Sequence, residues 1–379
     1  MKILFISPSY KPADVYGGPT VSVSELAEAL AAAGHLVTIY TTTANGKKEL
    51  EVETGVPVLL NGVTVFYFKR QTGDHTHVSI GLWKKLLKTA TLFDVIHLQS
   101  WWSVLILMAA VICRKKGCKY IISPRGMLSG YSFGQQHSMP KKIIHKTIGL
   151  GLLRRSHLHA TTLLEWNDCL RVNDSWRGFI LPNLVRFPVT LNKKKLSEEK
   201  SGCLVFGYLS RIDPKKGIEL FLQALSKVNF AYRFQIAGEG EEAYVMSLKQ
   251  LISQLGIEAN IEWCGWKKGE EKFDFLESVD VFVLTSYNEN FANSVVESLV
   301  MGTPVLLSNE VGLADYVQQN KMGWICEMSV PSIVHSLQEI LRDSNKLNII
   351  HQLAPDVIRK DFDRTKLAQQ YSKAYQQFS

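Results

Sequence analysis

The sequence predicts two α/β domains, each built around a parallel sheet. Both halves of the 379-residue chain alternate short apolar runs with longer helical stretches. Strands that are apolar throughout and are separated by helices indicate a parallel sheet covered on both faces. The alternation pauses at the polar stretch 192–202, which we interpret as the interdomain linker. At roughly 150 residues per domain, the chain length also favours two domains.

The first domain is predicted to cover residues 1–188. Its strand-like runs are KILFIS at 2–7, LVTIYTT at 36–42, VTVFYF at 63–68, DVIHLQ at 94–99 and YIIS at 120–123. Helices are predicted between them, notably over 20–33 and 104–116. The apolar run 104–113 has about half the roughly 20 residues that a membrane-spanning helix needs, so we interpret it as a buried helix.

The second domain is predicted to cover residues 189–363. Its strand-like runs are CLVFGYL at 203–209, FQIA at 234–237, NIEWC at 260–264, VFVLT at 281–285 and PVLL at 304–307. Parallel sheets of this kind bind ligands at the carboxyl ends of their strands. We therefore expect the functional residues just after the strands, in a crevice where the strand ends of the two domains face each other.

Composition and charge narrow the class of protein. The chain is 46% hydrophobic and 21% charged, with mean hydropathy +0.00, which excludes a disordered, collagenous or multi-span membrane protein. Its six scattered cysteines indicate neither a disulfide framework nor a zinc site. The first apolar run is too short for a signal peptide, so we expect a cytoplasmic protein. Residues 1–190 carry 22 Lys and Arg against 11 Asp and Glu, which suits a lipid surface, a phosphorylated acceptor or nucleic acid.

Three segments after strands of the second domain carry candidate chemistry. In SRIDPKKG, Arg211 and Lys216 form a cationic pair that suits a diphosphate, although a solvated basic turn would look the same. In GEGEEA, Gly238 and Glu239 begin a G-x-G-x-x-A string. That string is the dinucleotide fingerprint, but it follows the second strand of its domain, so nucleotide proximity is favoured over NAD.

The third segment, TSYNENFANSVVESLVMGTPVLL at 285–307, is the strongest. Glu289 lies in a loop after a strand, and a helix predicted to begin near Asn293 or Ser294 places Glu297 in its first turns. Both carboxylates can then reach a ligand at the helix N-terminus. Carboxylates bind sugar hydroxyls, and the free amides of a helix N-terminus hold phosphate.

These motifs resemble the signature of retaining glycosyltransferases of the GT-B fold, family four (group 1), of the polysaccharide-biosynthesis type. GGP after the first strand, DVIHLQSWW, SPRGML, LPN, the CGW turn and ESLVMGTPVL also occur in the family's order. The similarity covers nearly the whole chain, and the ordered set is specific although each piece is weak. The resemblance implies two Rossmann-like domains facing each other across a cleft, with the last helix, 364–379, packed back on the first.

The resemblance also implies roles for residues of the second domain. Arg211 and Lys216 would neutralise the leaving diphosphate in place of a metal ion, and Glu297 would bind the nucleotide ribose. Glu289 would contact the hydroxyls of the donor sugar. Further donor-binding residues are those that supply backbone amides or approach the nucleotide: Gly17, Gly18, Gly238, Glu239, Trp266, Asn290, Phe291, Ala292, Asn293 and Ser294. A Trp at a strand end, as Trp266 is, is equally typical of a core.

The chain departs from the family pattern in two places. Many members have glycine within the segment where this chain has Asn290 to Asn293, which leaves the donor sugar open. Many members have His-Gly after the fifth strand, where this chain has Arg125-Gly126. Arg125 is therefore a candidate on the acceptor side, and His97 is the candidate replacement for the missing histidine. A lone histidine at a strand end is more often structural.

Two further patterns call for an interpretation. Asp361 and Asp363 form a D-x-D string, which we interpret as a turn that caps the last helix and not as a metal site. The basic amphipathic stretches 80–93 and 141–155 are typical either of interfacial helices or of core helices with a solvated lysine face.

The predicted function is hexose transfer, without a metal or other cofactor, from a UDP- or GDP-linked sugar to a saccharide or lipid-linked acceptor in surface polysaccharide biosynthesis. We expect peripheral association with the anionic inner face of the cell membrane, and no nucleic-acid partner. The alternatives are a non-catalytic homologue that binds sugar nucleotides and, less favoured, an NAD-dependent oxidoreductase.

Overall fold

The computed structural model describes residues 1–134, 143–188 and 202–378. The chain divides into two compact units, Met1–Leu184 together with Phe362–Ser379, and Val185–Asp361. The predicted linker at 192–202 lies outside the described residues except for its last position.

The N-terminal unit is built on an eight-stranded sheet. Its strands, numbered in chain order, are β1 (Lys2–Ser7), β2 (Leu36–Thr42), β5 (Pro57–Leu60), β6 (Val63–Phe68), β7 (Val95–Gln99), β8 (Tyr120–Ser123), β9 (His157–Ala160) and β10 (Gly178–Ile180). The strand order is β10-β9-β8-β7-β1-β2-β6-β5, and all neighbours are parallel except β5 and β6. A separate ribbon pairs β3 (Ala44–Asn45) with β4 (Lys48–Glu49).

All five strands predicted for this unit are confirmed within one residue. Consecutive side chains of β7 and β8 are buried, so both faces of the central sheet are covered, as the apolar runs predicted. The strands β9 and β10 were not predicted, because HLHA and GFI are too short and too mixed in polarity to show a strand pattern.

Helices of the N-terminal unit connect these strands. The α-helices are Gly18–Ala32, Ile80–Thr89, Val104–Lys115, Gly130–Gly134, Leu150–Leu153, Leu163–Val172 and Arg364–Phe378, with a π-helix over His145–Gly149 and 3₁₀ turns at Asp14–Tyr16 and Ala90–Leu92. The terminal helix Arg364–Phe378 buries Leu367, Tyr371 and Tyr375. Its first residue forms an ion pair with Glu25 of the helix Gly18–Ala32.

The C-terminal unit is a six-stranded parallel sheet. Its strands are β11 (Leu204–Leu209), β12 (Tyr232–Ala237), β13 (Ile261–Trp263), β14 (Val281–Leu284), β15 (Val305–Ser308) and β16 (Gly323–Cys326). Its helices are Ile218–Leu225, Glu242–Leu255, Glu271–Ser278, Asn293–Val300, Ala314–Gln319, Val330–Arg342 and Ser344–Asp361, with 3₁₀ turns at Pro214–Lys216 and Glu258–Asn260. The five strands predicted here are confirmed within two residues, and β16 is an addition.

The strand order of the C-terminal sheet locates a ligand crevice. The order is β13-β12-β11-β14-β15-β16, so the chain runs outward from β11 on one side and then returns to β14 on the other. Open parallel sheets bind ligands at such a switch point, beyond the carboxyl ends of the two strands. The loops that follow β11 and β14 are therefore the expected site.

Within the part of the chain that the structure describes, no helix is both long enough and apolar enough to cross a membrane.

Candidate functional site

The loops after β11 and β14 are held together at the switch point by backbone contacts. The Tyr287 amide donates to the Lys215 carbonyl at 2.9 Å, and Thr285 Oγ1 donates to the Gly217 carbonyl at 3.3 Å. Gly217 adopts a left-handed conformation with φ 62°, and a Cβ at this position would collide with the Thr285 carbonyl oxygen. Glycine is required here by both conformation and space, so the basic turn is fixed against the acidic loop.

Lys216 and Glu289 form an ion pair across these two loops, joining Nζ to Oε2. The side chain of Lys216 is 9% exposed and that of Glu289 is 21% exposed. The backbone of Glu289 is also held, because its amide donates to the Glu310 carbonyl at 3.0 Å and its carbonyl accepts from the Gly312 amide at 2.8 Å. The structure thus brings together two of the three residues predicted to be catalytic.

The charges of this cluster act on one another. Burial alone would raise the pKa of the Glu289 carboxyl, but the charge and hydrogen bond of Lys216, with Lys215 and Arg211, outweigh it and hold the pKa below its ordinary value. Burial lowers the pKa of the Lys215 ammonium, and the nearby positive charges of Lys216 and Arg211 also lower it. Three cations in one turn create a positive potential that favours a polyanionic ligand. Lys215 was not predicted from the sequence, because consecutive lysines in a turn usually face solvent.

Arg211 lies on the same turn with its side chain exposed. Its carbonyl accepts a hydrogen bond of 2.5 Å from the buried Tyr208 hydroxyl, which fixes the backbone immediately after β11. An exposed guanidinium on a fixed backbone can reorient toward a ligand at little cost.

Glu297 is the fifth residue of the helix Asn293–Val300, so the predicted helix start is confirmed. Its carboxylate is nearly buried and pairs with Lys272, whose Nζ lies 2.6 Å from Glu297 Oε1. Lys272 comes from the helix Glu271–Ser278, and sequence reasoning missed it because a single lysine in an amphipathic helix gives no signal of its own.

The segment from Asn290 to Ser294 forms the turn into this helix. Phe291 is buried, and Ala292 precedes the first helical residue with φ 65° and ψ 80°. A left-handed conformation is uncommon for a residue with a Cβ and marks local strain. The helix Asn293–Val300 thus begins four residues after Glu289 in the chain.

Gly238 and Glu239 lie in the turn after β12, and this turn packs on the turn after β11. The Ile212 amide donates to the Glu239 carbonyl at 2.8 Å. A Cβ at Gly238 would collide with the Ser210 carbonyl oxygen, and one at Gly240 would collide with that of Ile212. Close packing of neighbouring turns thus accounts for both glycines of the G-x-G string without a dinucleotide. Trp266 lies beyond β13 and is 40% exposed.

The other predicted residues lie in the N-terminal unit. Gly17 has φ 60° and precedes the helix that begins at Gly18. No atom would obstruct a Cβ at Gly17, so the backbone conformation alone requires glycine there. Arg125 also has a positive φ, 57°. Its Nε and Nη2 donate to Gln99 Oε1 at 3.0 and 2.8 Å, and its Nη1 donates to Asn183 Oδ1 at 2.5 Å.

His97 is fully buried, and both of its ring nitrogens are engaged. Nδ1 lies 2.7 Å from the Tyr375 hydroxyl and Nε2 lies 2.6 Å from Ser123 Oγ. Burial lowers the pKa of His97 well below its ordinary value, and His159 and Arg125 contribute. This geometry favours the structural alternative for His97, because its ring has no free nitrogen to offer an acceptor.

The D-x-D string caps the terminal helix, as predicted. Asp363 Oδ1 accepts from the Lys366 amide at 2.7 Å, and Asp361 Oδ2 accepts from the Tyr316 hydroxyl at 2.9 Å. Among the described residues, no three His, Cys, Asp or Glu side chains are grouped as metal ligands would be.

The chain matches two family models. Residues 190–356 match the family described as glycosyl transferases group 1, and residues 17–166 match the glycosyl transferase 4-like domain. Together with the two mainly parallel sheets and the cluster at the switch point, these matches define a glycosyltransferase of the GT-B fold. The chain belongs to the group 1 glycosyltransferase family, and the resemblance seen in its motifs is confirmed.

One curated relative and two solved structures illustrate the similarity. The lipopolysaccharide core biosynthesis glycosyltransferase LpsE of Rhizobium meliloti (strain 1021) is 23% identical over 209 residues, which are 55% of this chain and 58% of that protein. The chain thus spans little more than half the length of this relative.

Among solved structures, sucrose-phosphate synthase from Thermosynechococcus elongatus has a TM-score of 0.76 and 18% identity, covering 100% of this chain and 98% of that one. Anabaena HepE in complex with UDP and glucose has a TM-score of 0.73 and 19% identity, with 98% of both chains covered. At these identities the likeness establishes the fold.

Proposed function

We propose that the protein transfers a hexose-type sugar, with retention of anomeric configuration and without a metal ion, from a nucleoside diphosphate sugar to a saccharide or lipid-linked acceptor. The observation that carries this proposal is the cluster of Arg211, Lys216 and Glu289 at the switch point of the C-terminal sheet. Its two cations, with Lys215 beside them, and its one carboxylate match the two parts of such a donor, an anionic diphosphate and a neutral polyol.

The chemistry follows from where charge develops. Breaking the bond between sugar and phosphate leaves negative charge on the departing diphosphate, so fixed cations aimed at it lower the barrier. In the proposed mechanism Arg211 and Lys216 stabilise that negative charge. The helix amides near Asn293 stabilise it further. Glu289, which is ionised because of its lysine neighbours, accepts hydrogen bonds from the sugar hydroxyls.

The nucleotide is proposed to bind beside Glu297, whose carboxylate would accept the ribose hydroxyls. We propose UDP or GDP as the carrier, and the complex of HepE with UDP and glucose supports UDP as the first candidate. Gly238, Glu239 and Trp266 remain proposed neighbours of the nucleotide, and Gly17 and Gly18 remain proposed neighbours of the diphosphate.

The proposed acceptor is a precursor of a surface polysaccharide. This proposal draws on the name of LpsE and on the basic N-terminal unit. Arg125, held by Gln99 and Asn183 at the strand ends of that unit, is the proposed contact on the acceptor side. We further propose that the protein works at the cytoplasmic face of the cell membrane, without nucleic acid.

Both basic stretches bury some apolar residues and expose others. In the helix Ile80–Thr89, Leu82 and Leu86 are fully buried, whereas Ile80 and Leu87 are 48% and 42% exposed. In the second stretch, of which 143–155 is described, Ile143 and Ile148 are 58% and 52% exposed. We therefore propose residues 143–149 as the part that contacts lipid.

The first test is thermal unfolding with UDP, GDP, ADP, their common sugar conjugates and NAD, each with and without EDTA. A ligand at about 100 times its Kd adds about 2.7 kcal/mol, enough to raise the midpoint by a few degrees. We expect one nucleoside diphosphate and its sugar to act, with no effect of EDTA. A response to NAD alone, or to none of the panel, would contradict the proposal.

A second test addresses the stereochemistry. With the donor identified, proton NMR of the product formed in EDTA should show the anomeric configuration of the donor. A product of inverted configuration would refute the retaining mechanism. Turnover that needs added magnesium or manganese would separately refute independence of a metal ion.

A further inference from the structure

Lys272 holds the carboxylate that the proposed function assigns to the nucleotide ribose. Its Nζ lies 2.6 Å from Glu297 Oε1. The two residues lie in the first turns of different helices, Lys272 at the second position of Glu271–Ser278 and Glu297 at the fifth position of Asn293–Val300. The pair therefore joins two neighbouring helices near their N-termini.

The exposure of the pair suits a binding role. The side chain of Glu297 is 9% exposed and that of Lys272 is 21% exposed, so the ammonium is the member of the pair that solvent reaches more. An ammonium has three donor hydrogens, and the bond to Glu297 uses one of them. Lys272 can hold Glu297 and still donate to a ligand.

The hydrogen-bonding chemistry of the two groups is complementary to a vicinal diol. A carboxylate only accepts and an ammonium only donates, whereas each ribose hydroxyl does both. A ribose beside the pair can donate from one hydroxyl to Glu297 and accept at a hydroxyl oxygen from Lys272. Both bonds are charge-assisted, and a sugar lacking the hydroxyls loses both.

We propose that Lys272 is a donor-binding residue that orients the Glu297 carboxylate and donates to a ribose hydroxyl, so that the pair selects ribonucleotides. This inference rests on the proposed function, in which Glu297 binds the ribose. It assigns to Lys272 a role in substrate recognition that an ion pair between two helices would not require.

Titration calorimetry with UDP, GDP and their 2′,3′-dideoxy analogues tests the proposal. We expect Lys272→Met to weaken binding of the preferred ribonucleotide about tenfold or more, the size of a lost charge-assisted hydrogen bond. Binding of its dideoxy analogue should change by less than about twofold, because the bond is already absent. Lys268→Met, in the exposed loop just before the same helix, is the matched control and should bind both ligands as the wild type does.

Steady-state kinetics provides a readout that a purely structural ion pair would not move. Lys272→Met should raise the donor KM with little change in kcat, since ground state and transition state lose the same contact. Lys272→Arg, which keeps a cationic donor, should restore most of the affinity. If Lys272→Met does not fold, Lys272→Gln and Lys272→Arg are compared by the same calorimetric and kinetic measurements.

The outcomes separate this inference from the proposed function. If the wild type binds neither UDP nor GDP, the proposed donor class is wrong and the inference falls with it. If the wild type binds one of them and Lys272→Met weakens binding of the ribonucleotide and of its dideoxy analogue equally, or weakens neither, only the inference about Lys272 is overturned.

Discussion

At the scale of single residues, Arg211 and Lys216 have different tasks although both are cations of one turn. Lys216 is nearly buried and already paired with Glu289, so its removal would leave that carboxylate without its closest partner. Arg211 is exposed, which makes it the cleaner probe of catalysis.

We expect Arg211→Ala to lower kcat by about 10²-fold or more while the midpoint of thermal unfolding stays within about 1 °C of the wild type. Loss of one preorganised donor to a developing anion has this size, and an exposed side chain contributes little to folding. Arg233→Ala, an exposed arginine of β12, is the matched control and should leave both quantities unchanged. Near-normal turnover of Arg211→Ala would contradict the assigned role.

Ala292 offers a test of strain. Its left-handed conformation should cost about 1 kcal/mol relative to glycine, so Ala292→Gly is expected to stabilise the fold by about that amount in chemical denaturation. The same change at Ala243, the exposed second residue of the helix Glu242–Leu255, should destabilise the fold by up to about 0.5 kcal/mol, because glycine loses more conformational entropy on folding than alanine. Equal signs for the two substitutions would show that the turn at Ala292 is not strained.

At the scale of elements, the terminal helix meets the strand ends of the N-terminal unit through a chain of buried hydrogen bonds. Tyr375 contacts His97, Ser123 lies between His97 and His159, and Tyr371 contacts His159 at 2.8 Å. Burial, aided by Arg125, lowers the pKa of His159 to about 3. Both imidazoles are therefore neutral at physiological pH.

This network predicts a loss of stability in mild acid. The unfolded chain binds protons at histidine below about pH 6.5, whereas the folded chain resists protonation of His159 down to about pH 3, so stability should fall as the pH drops through that window. Unfolding midpoints measured from pH 7.5 to 4.5 should fall less steeply in His159→Gln than in the wild type. His335→Gln, at an exposed histidine, should keep the wild-type slope, and identical slopes in all three proteins would argue against the network.

The segment 143–149 is the element expected to contact lipid. The double variant Ile143→Ser and Ile148→Ser should lose most of its sedimentation with vesicles that contain anionic lipid, because it removes the apolar contribution to interfacial binding. Leu59→Ser is the control, since Leu59 is 73% exposed on the edge strand β5 of the same unit. If the control and the double variant sediment alike, the segment is not the contact.

At the scale of the whole molecule, the chain crosses between its units twice. It leaves the N-terminal unit after Leu184 and returns at Phe362, so the last 18 residues complete a unit whose other elements come before residue 185. The terminal helix buries Tyr371 and Tyr375 against that unit, and its loss would expose apolar surface as well as two buried histidines.

Truncation after Asp361 should therefore destabilise the N-terminal unit selectively. We expect calorimetry to show its transition lowered by about 5 °C or more, with the transition of the C-terminal unit retained. Tyr375→Phe keeps the ring and removes only the hydrogen bond to His97, so it should cause a smaller decrease. Truncation that leaves every transition in place would mean that the helix adds no stability.

The extent to which the sequence predicted the molecule differs between fold and site. Ten strands and the start of the helix at Asn293 were predicted, because buried parallel strands are apolar runs and the helix follows a recognisable loop. The strands β9 and β10 and the edge strand β5 were not, since short or half-polar segments depend on their neighbours for pairing. Arg211, Lys216, Glu289 and Glu297 were singled out by spacing. The pairing of Lys216 with Glu289, and Lys272 as the partner of Glu297, were not predicted.

The sequence by itself determined the two-sheet architecture, the family and the positions of the charged residues after the strands, because these follow from local patterns along the chain. The tertiary structure decided the partnerships. Lys216 meets Glu289 across 73 positions, Lys272 meets Glu297 across 25, and His97 meets Tyr375 across 278. Such contacts are set by strand order and helix packing, which bring distant segments together and are not encoded in any short motif.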